Sequence, residues 1–202
     1  TSDRMFSRFD DIFRTTGWEV VILKYGKKQL AAFARKGGLA LREWIDNCPN
    51  ALYAALTFQG GAAWRKQLLA DIGNVPGINT LLDDYDDDAL SELMTQLGGH
   101  CMETILEAFH SVESERPHLF LAYTIKGYAL PFQGHKDNHS GIMNTAQIES
   151  FRQSLGINEG EEWEPFAGLA EQEAADLKTY LARVPFAQET VRRHTAPKIA
   201  VP

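Results

Sequence analysis

Two apolar runs, WEVVILKYG at 18–26 and HLFLAYTI at 118–125, constrain this chain more than any other feature. Both are rich in β-branched and aromatic residues and read as strands. Nearly everything between them has helical spacing. Upstream, Met5, Phe6, Phe9, Ile12 and Phe13 recur with a helical period, Ser2 stands where a cap belongs, and Gly17 stands where the helix must stop. A helix, a glycine stop and a buried strand make half of an α/β unit. Two strands among many helices are too few for a complete doubly wound domain. The expected architecture is therefore α/β, helix-rich with few parallel strands: the back part of a domain whose first βαβ units lie outside this chain.

The helical middle is punctuated. KKQLAAFARKGG, ALREWIDNC, NALYAAL and AAWRKQLLADIG are separate candidate helices, divided at Pro49, Gly60 and Gly61, and NVPGIN (74–79) is a loop. The acidic run Asp83, Asp84, Asp86, Asp87, Asp88 opens the next helix, whose apolar face is Leu90, Leu93, Met94 and Leu97. A calcium loop needs a glycine and a distant glutamate at fixed offsets, and neither is present. Aspartates at a helix start accept orphan amide hydrogens and oppose the dipole, so capping is the reading. In GGHCMETILEAFHSV the residues Met102, Ile105, Leu106, Phe109 and Val112 are expected to face inward. After the second strand, Asn144 with Gln147 forms a capping box. There Ile148, Phe151 and Leu155 make the expected buried stripe, and Gly156 is the stop. INEGEEWEPFAGL is an acidic loop, AEQEAADLKTYLARV a helix, and the proline-bearing tail 185–202 a linker or extended arm after a domain spanning 1–184.

With 202 residues, 44% of them hydrophobic and 23% charged, the chain has the composition of an ordinary globular protein. A net charge of -7 speaks against a general nucleic-acid or membrane-surface binder, both of which need basic patches. No stretch approaches the ~20 apolar residues of a membrane helix, and TSDRMFSRFDD does not resemble a signal peptide. The chain opens without a methionine, and a piece of a longer protein is expected. Cys48 and Cys101 lie in no metal-ligand spacing, which favours free thiols in a reducing, cytoplasmic setting.

The stretch KGYALPFQGHKDNHSG (126–141) leaves the carboxyl end of the second strand, where α/β sheets leave a ligand crevice. It carries Lys126, His135, Lys136, Asp137 and His139, with Asn138 and Ser140 as neutral partners. Lysine is a point charge suited to phosphate, and histidine moves protons near neutral pH. Residue types alone leave two readings, a loop for a phosphorylated ligand or a solvated connector. His135 and His139 are four apart, but Gly134 breaks helical geometry and no third ligand follows, which disfavours a metal. Elsewhere His100 reads as structural, donating to a carbonyl or capping a helix. His110 is expected to be exposed, and His118 and His194 have no visible partner. Cys101, at a helix start, has the setting that lowers a thiol pKa, but no base accompanies it. Cys48 is expected to be buried or inert.

YTIKGYALPFQGHKDNHSGIMNTAQIESFRQSLG resembles the transketolase-like thiamine diphosphate enzymes, closest to the homodimeric first, decarboxylating component of pyruvate or 2-oxobutyrate dehydrogenase complexes. DIFRTTGWEVVILKYG, GGAAWRKQLLADIG and LMTQLGGHCMETILEAF resemble further segments of the same enzymes, in the same order. The likeness extends over roughly residues 5 to 190. It implies the C-terminal part of a three-layer thiamine diphosphate-binding domain. It also implies an enzyme that decarboxylates a 2-oxo acid with thiamine diphosphate and magnesium, then reductively acylates a lipoyl group on a partner acyltransferase. The resemblance places Lys126 near the cofactor's diphosphate. It assigns the inner-loop histidine, which orders the loop and assists acyl transfer, to His139 first and His135 second, the loop being slightly shorter than in the best-known branch. Cys101 stands where an aspartate often occurs.

The family's GDG…N metal–diphosphate motif does not occur in the sequence, and DIGN at 71–74 is no substitute. The pyrimidine-binding domain with its activating glutamate has no counterpart either. The chain alone is thus expected to bind thiamine diphosphate weakly or not at all and to be inactive, with the inner loop disordered or misplaced. A non-catalytic module that kept the fold is the alternative, and a transketolase acting on sugar phosphates a third reading. Which 2-oxo acid is used is not legible from these residues.

Overall fold

The computed structural model describes residues 3–185. The chain divides into two compact units, Thr1–Ile142 and Met143–Pro202. The first contains a helix α1 (Asp3–Thr15), strand β1 (Glu19–Leu23), and helices α2 (Lys27–Phe33), α3 (Gly38–Asn47), α4 (Asn50–Gln59), α5 (Gly61–Ile72), α6 (Ile78–Asp83) and α7 (Asp87–Thr95). A 3-10 turn at Gly98–His100, helix α8 (Met102–His110) and strand β2 (His118–Ala122) complete it. β1 and β2 pair in parallel, Glu19 opposite His118 through Leu23 opposite Ala122. The unit is a helix-rich α/β fold with a two-stranded parallel sheet.

Local chemistry sets the element ends. The Trp18 amide reaches back to the Phe13 carbonyl at 3.0 Å, closing α1 at Gly17 as expected. Asp86 caps α7 by accepting the Ala89 amide at 2.8 Å, and Asp87 and Asp88 occupy its first turn. Among the described residues no group of three or more His, Cys, Asp or Glu side chains is placed to hold a metal. The expected loop 74–79 is shorter than its sequence implies, because Ile78 already begins α6 with its side chain fully buried. The Ser2 cap lies outside the described residues, as does the expected arm 185–202 apart from Pro185.

The core of this unit lies among the helices rather than on the sheet. Trp64, Leu41, Leu68, Ile78, Leu81, Leu82, Leu90, Leu93 and Met94 are fully or almost fully buried there. Each such side chain contributes about 1.5–3 kcal/mol of transfer free energy. Trp64 sits at the centre, its ring edge-on to Tyr53 at 4.8 Å and to Trp44 at 6.0 Å. On the strands only Val20 and Leu23 are buried, while Ile22 stays half exposed.

α8 departs from its sequence pattern. Of the residues expected inward, Met102, Leu106, Phe109 and Val112 are exposed and Ile105 is half-buried; the helix instead buries Ala108, with Cys101 buried at its N-cap. Two strands are too narrow to cover the full apolar stripe; Phe109 meets Phe120, with ring centroids 4.5 Å apart.

The second unit contains α9 (Thr145–Ser154) and α10 (Glu171–Arg183). The capping box forms as expected: the Gln147 amide donates to Asn144 Oδ1 at 2.9 Å and the Asn144 amide to Gln147 Oε1 at 3.0 Å. After the stop at Gly156, the Ile157 amide returns to the Arg152 carbonyl at 3.2 Å. The expected buried stripe does not form. Ile148 and Leu155 are half exposed, and neither helix buries a residue, because two short helices joined by turns enclose too little volume for a core. No described helix is long and apolar enough to cross a membrane.

Candidate functional site

Because β1 and β2 run parallel, their carboxyl ends open on the same side. The segments leaving them, Lys24–Tyr25 and Tyr123–Lys126, line one cavity of about 510 Å3. Its far wall is α4, through Asn50, Tyr53, Ala54 and Thr57, and the loop after β2 adds Gly134, His135, Lys136 and Asn138. Among the described residues, the lining contains three lysines and a histidine and no aspartate or glutamate. In a chain with 27 acidic and 20 basic residues, this is a local reversal of charge. Such a low-dielectric, cationic concavity favours an anionic ligand.

The loop is held rather than disordered. Gly134 lies against α4 with φ +74°, where an added Cβ would sit 2.5 Å from the Ala54 carbonyl oxygen. Both the left-handed backbone and the close approach require glycine. The Gly134 amide and the Asn138 side-chain amide both donate to the Lys126 carbonyl, at 3.3 and 2.7 Å. His135 packs edge-on against Phe58 at 4.7 Å. Its Nδ1 accepts the Asp137 amide at 3.2 Å, so the neutral ring carries its proton on Nε2. Lys126 Nζ lies 2.5 Å from His139 Nδ1 and donates to it, which fixes the same tautomer there. Lys126, His135 and His139 are thus gathered by one loop. Lys126 and His135 face the cavity, whereas His139 stands behind Lys126 outside the lining. Lys136 lines the cavity while paired with Asp137 at 2.6 Å.

Sequence reasoning missed the other half of the site. Lys24 Nζ is 2.7 Å from Asp46 Oδ1 and lies over the ring of Tyr123 at 5.3 Å. The Tyr25 hydroxyl donates to the same carboxylate, and Arg42 stands 3.9 Å away. Burial works to raise the Asp46 pKa, but the Lys24 ammonium and Tyr25 hydroxyl outweigh it and hold the carboxyl below its ordinary value. Burial, with Asp46 alongside, pushes the Tyr25 hydroxyl up to about 12. Lys24 had a signal: it is the first residue beyond the carboxyl end of β1, as the segment running to Lys126 leaves β2. The α4 residues had none, since only the packing of helices brings them to the strand ends.

Among the described residues, His100, His118 and Cys101 have structural contacts, while Cys48 lines the cavity. His100 does not donate to a carbonyl, as expected, but accepts: the Ile125 amide reaches its Nε2 at 2.7 Å. Its ring stacks on Tyr128 at 3.7 Å, and burial lowers its pKa. It anchors the start of the loop. His118 has a partner after all, Glu19 at 3.0 Å. His110 is exposed, and His194 lies outside the described residues. Cys101 is buried. Burial works to raise its pKa, but hydrogen bonds from Lys27, Thr104 and Glu103 prevail and lower it. Burial pushes the half-buried Cys48 thiol up to about 11.

No family model matches the chain. Curated proteins do. Over 151 residues it is 25% identical to the pyruvate dehydrogenase E1 component of Cupriavidus necator, a match covering 74% of this chain and 16% of that protein. Over 159 residues it is 26% identical to the pyruvate dehydrogenase E1 component of Corynebacterium glutamicum, covering 76% and 17%. The same named component of Mycobacterium tuberculosis is 25% identical over 159 residues, with the same coverage. The chain resembles the pyruvate dehydrogenase E1 component. The matched region spans about one sixth of those relatives' length, and most of this chain.

Proposed function

We propose that the chain is a segment of a thiamine diphosphate-dependent 2-oxo acid dehydrogenase of the pyruvate type, the C-terminal part of its transketolase-like diphosphate-binding domain. In the full-length enzyme, a homodimer of the cytoplasm, it takes part in decarboxylating the oxo acid and reductively acylating a lipoyl group on the acyltransferase partner. One observation carries this reading: the loop that bears the resemblance forms a wall of the lysine-lined cavity at the strand ends. Likeness to proteins named pyruvate dehydrogenase E1 component supports it.

The cavity's lysine lining fits the diphosphate of thiamine diphosphate. Its described lining offers magnesium no carboxylate, so metal ligands are not assigned to these residues. When bound, the cofactor supplies a nucleophilic carbon and an electron sink. Lys126 contributes a positive charge toward the diphosphate. His139, or His135, presents an Nε2 proton toward the acyl-transfer step. The resemblance speaks for His139 and the cavity lining for His135. The loop excludes water from the reacting centre.

In the full-length enzyme, His139→Ala is expected to slow acetyl transfer to lipoyl more than decarboxylation, and Lys126→Ala to weaken cofactor affinity. Equal loss in both half-reactions, or unchanged affinity, overturns the respective role; His135→Ala decides between the histidines. Calorimetry of the 202-residue chain with thiamine diphosphate and magnesium is expected to show weak binding or none. The alternative of a non-catalytic module draws on the missing GDG…N motif. That motif in the same upstream reading frame would remove it.

A further inference from the structure

We infer that Lys24 is a second anion contact of this cavity: Lys24 directly follows β1, Lys126 lies four residues beyond β2, and both line it. The inference rests on the reading that Lys126 faces an anionic ligand. Strand register carries the geometry. Leu23 and Ala122 form the last pair, so Lys24 is the first residue beyond the sheet on β1 and enters the same crevice as the segment running to Lys126.

Three features make Lys24 a prepared contact. Its side chain is mostly buried, 21% exposed, so water screens its charge less than that of a surface lysine. Asp46 and the rings of Tyr25 and Tyr123 fix its direction. Asp46 itself is absent from the cavity lining and divides its charge among Lys24, Tyr25 and Arg42. A ligand in the cavity therefore meets the ammonium, with the carboxylate behind it. Two lysines lining one cavity suit a ligand with two anionic groups, of which a diphosphate is the chemical class.

The test is titration of the 202-residue chain with inorganic pyrophosphate, without metal and at low ionic strength, followed by amide and lysine side-chain NMR. Binding on the order of millimolar is expected, with the Lys24 ammonium signal moving. Lys24→Met is expected to weaken binding about tenfold, the scale of one charge-assisted contact, while Lys24→Arg retains most of it. Lys66→Met, an exposed lysine on α5, serves as the control and leaves binding unchanged. Weakening in Lys126→Met with none in Lys24→Met overturns this inference and leaves the reading of Lys126 standing. The reverse result leaves Lys24 as an anion contact but overturns the reading of Lys126, and with it the inference of a second contact beside Lys126. No binding by the wild type, equal loss in Lys66→Met, or a Lys24 signal that does not move overturns the inference. The last readout decides even where Lys24→Met does not fold.

Discussion

Tyr25 and Trp64 show how single residues carry unequal weight here. Tyr25 bonds Asp46, and its hydroxyl is raised from 10.0 to about 12. Between these values the unfolded chain loses the proton while the folded chain keeps it. Stability from this group is therefore complete below pH 10 and declines as pH rises toward 12. Tyr25→Phe is expected to flatten that decline in urea unfolding measured across the alkaline range; an unchanged slope would count against the assignment. Trp64 is fully buried with its indole N–H unpaired. Trp64→Ala should cost about 3–5 kcal/mol in denaturant unfolding. Trp64→Phe should cost much less, since no hydrogen bond is lost.

At the scale of elements, caps and one tight approach decide most. Asp86→Ala removes the acceptor for the Ala89 amide and should lower stability by about 1 kcal/mol, read from the urea midpoint. Gly134→Ala places a Cβ against the Ala54 carbonyl and strains a left-handed backbone. It should lift the loop from α4, leave the core intact by circular dichroism, and weaken pyrophosphate binding. Unaltered amide shifts on α4 would show that the loop does not rest there. Caps were legible because their chemistry is local: Asn144 with Gln147, Asp86 before α7, Gly17 after α1. The apolar stripes of α8 and α9 were legible as helix but misleading as to burial. A period of 3.6 residues shows where a stripe lies, not whether anything covers it.

Over the whole molecule, buried apolar side chains are concentrated in one unit. α5 and α7 contribute Trp64, Leu68, Leu90, Leu93 and Met94, whereas α9 and α10 bury nothing. Amide exchange should follow: protection in α5 and α7 should exceed that in α9 and α10 by about a hundredfold or more, because few contacts must break to open the second unit. Comparable protection in both would overturn that ranking.

The sequence by itself determined the α/β class, the two strands, the helix boundaries at caps and glycines, and the polar loop from Lys126 to Gly141. All of these depend on neighbours a few residues apart. Only the tertiary structure decided which charges share a cavity. Lys24, Asn50 and Lys126 line one cavity because a parallel pair turns both strand ends to one side and the helical crossover lays α4 across them. Nothing in the spacing of these residues records that arrangement, since it is fixed by long-range strand pairing and by the packing of helices around Trp64.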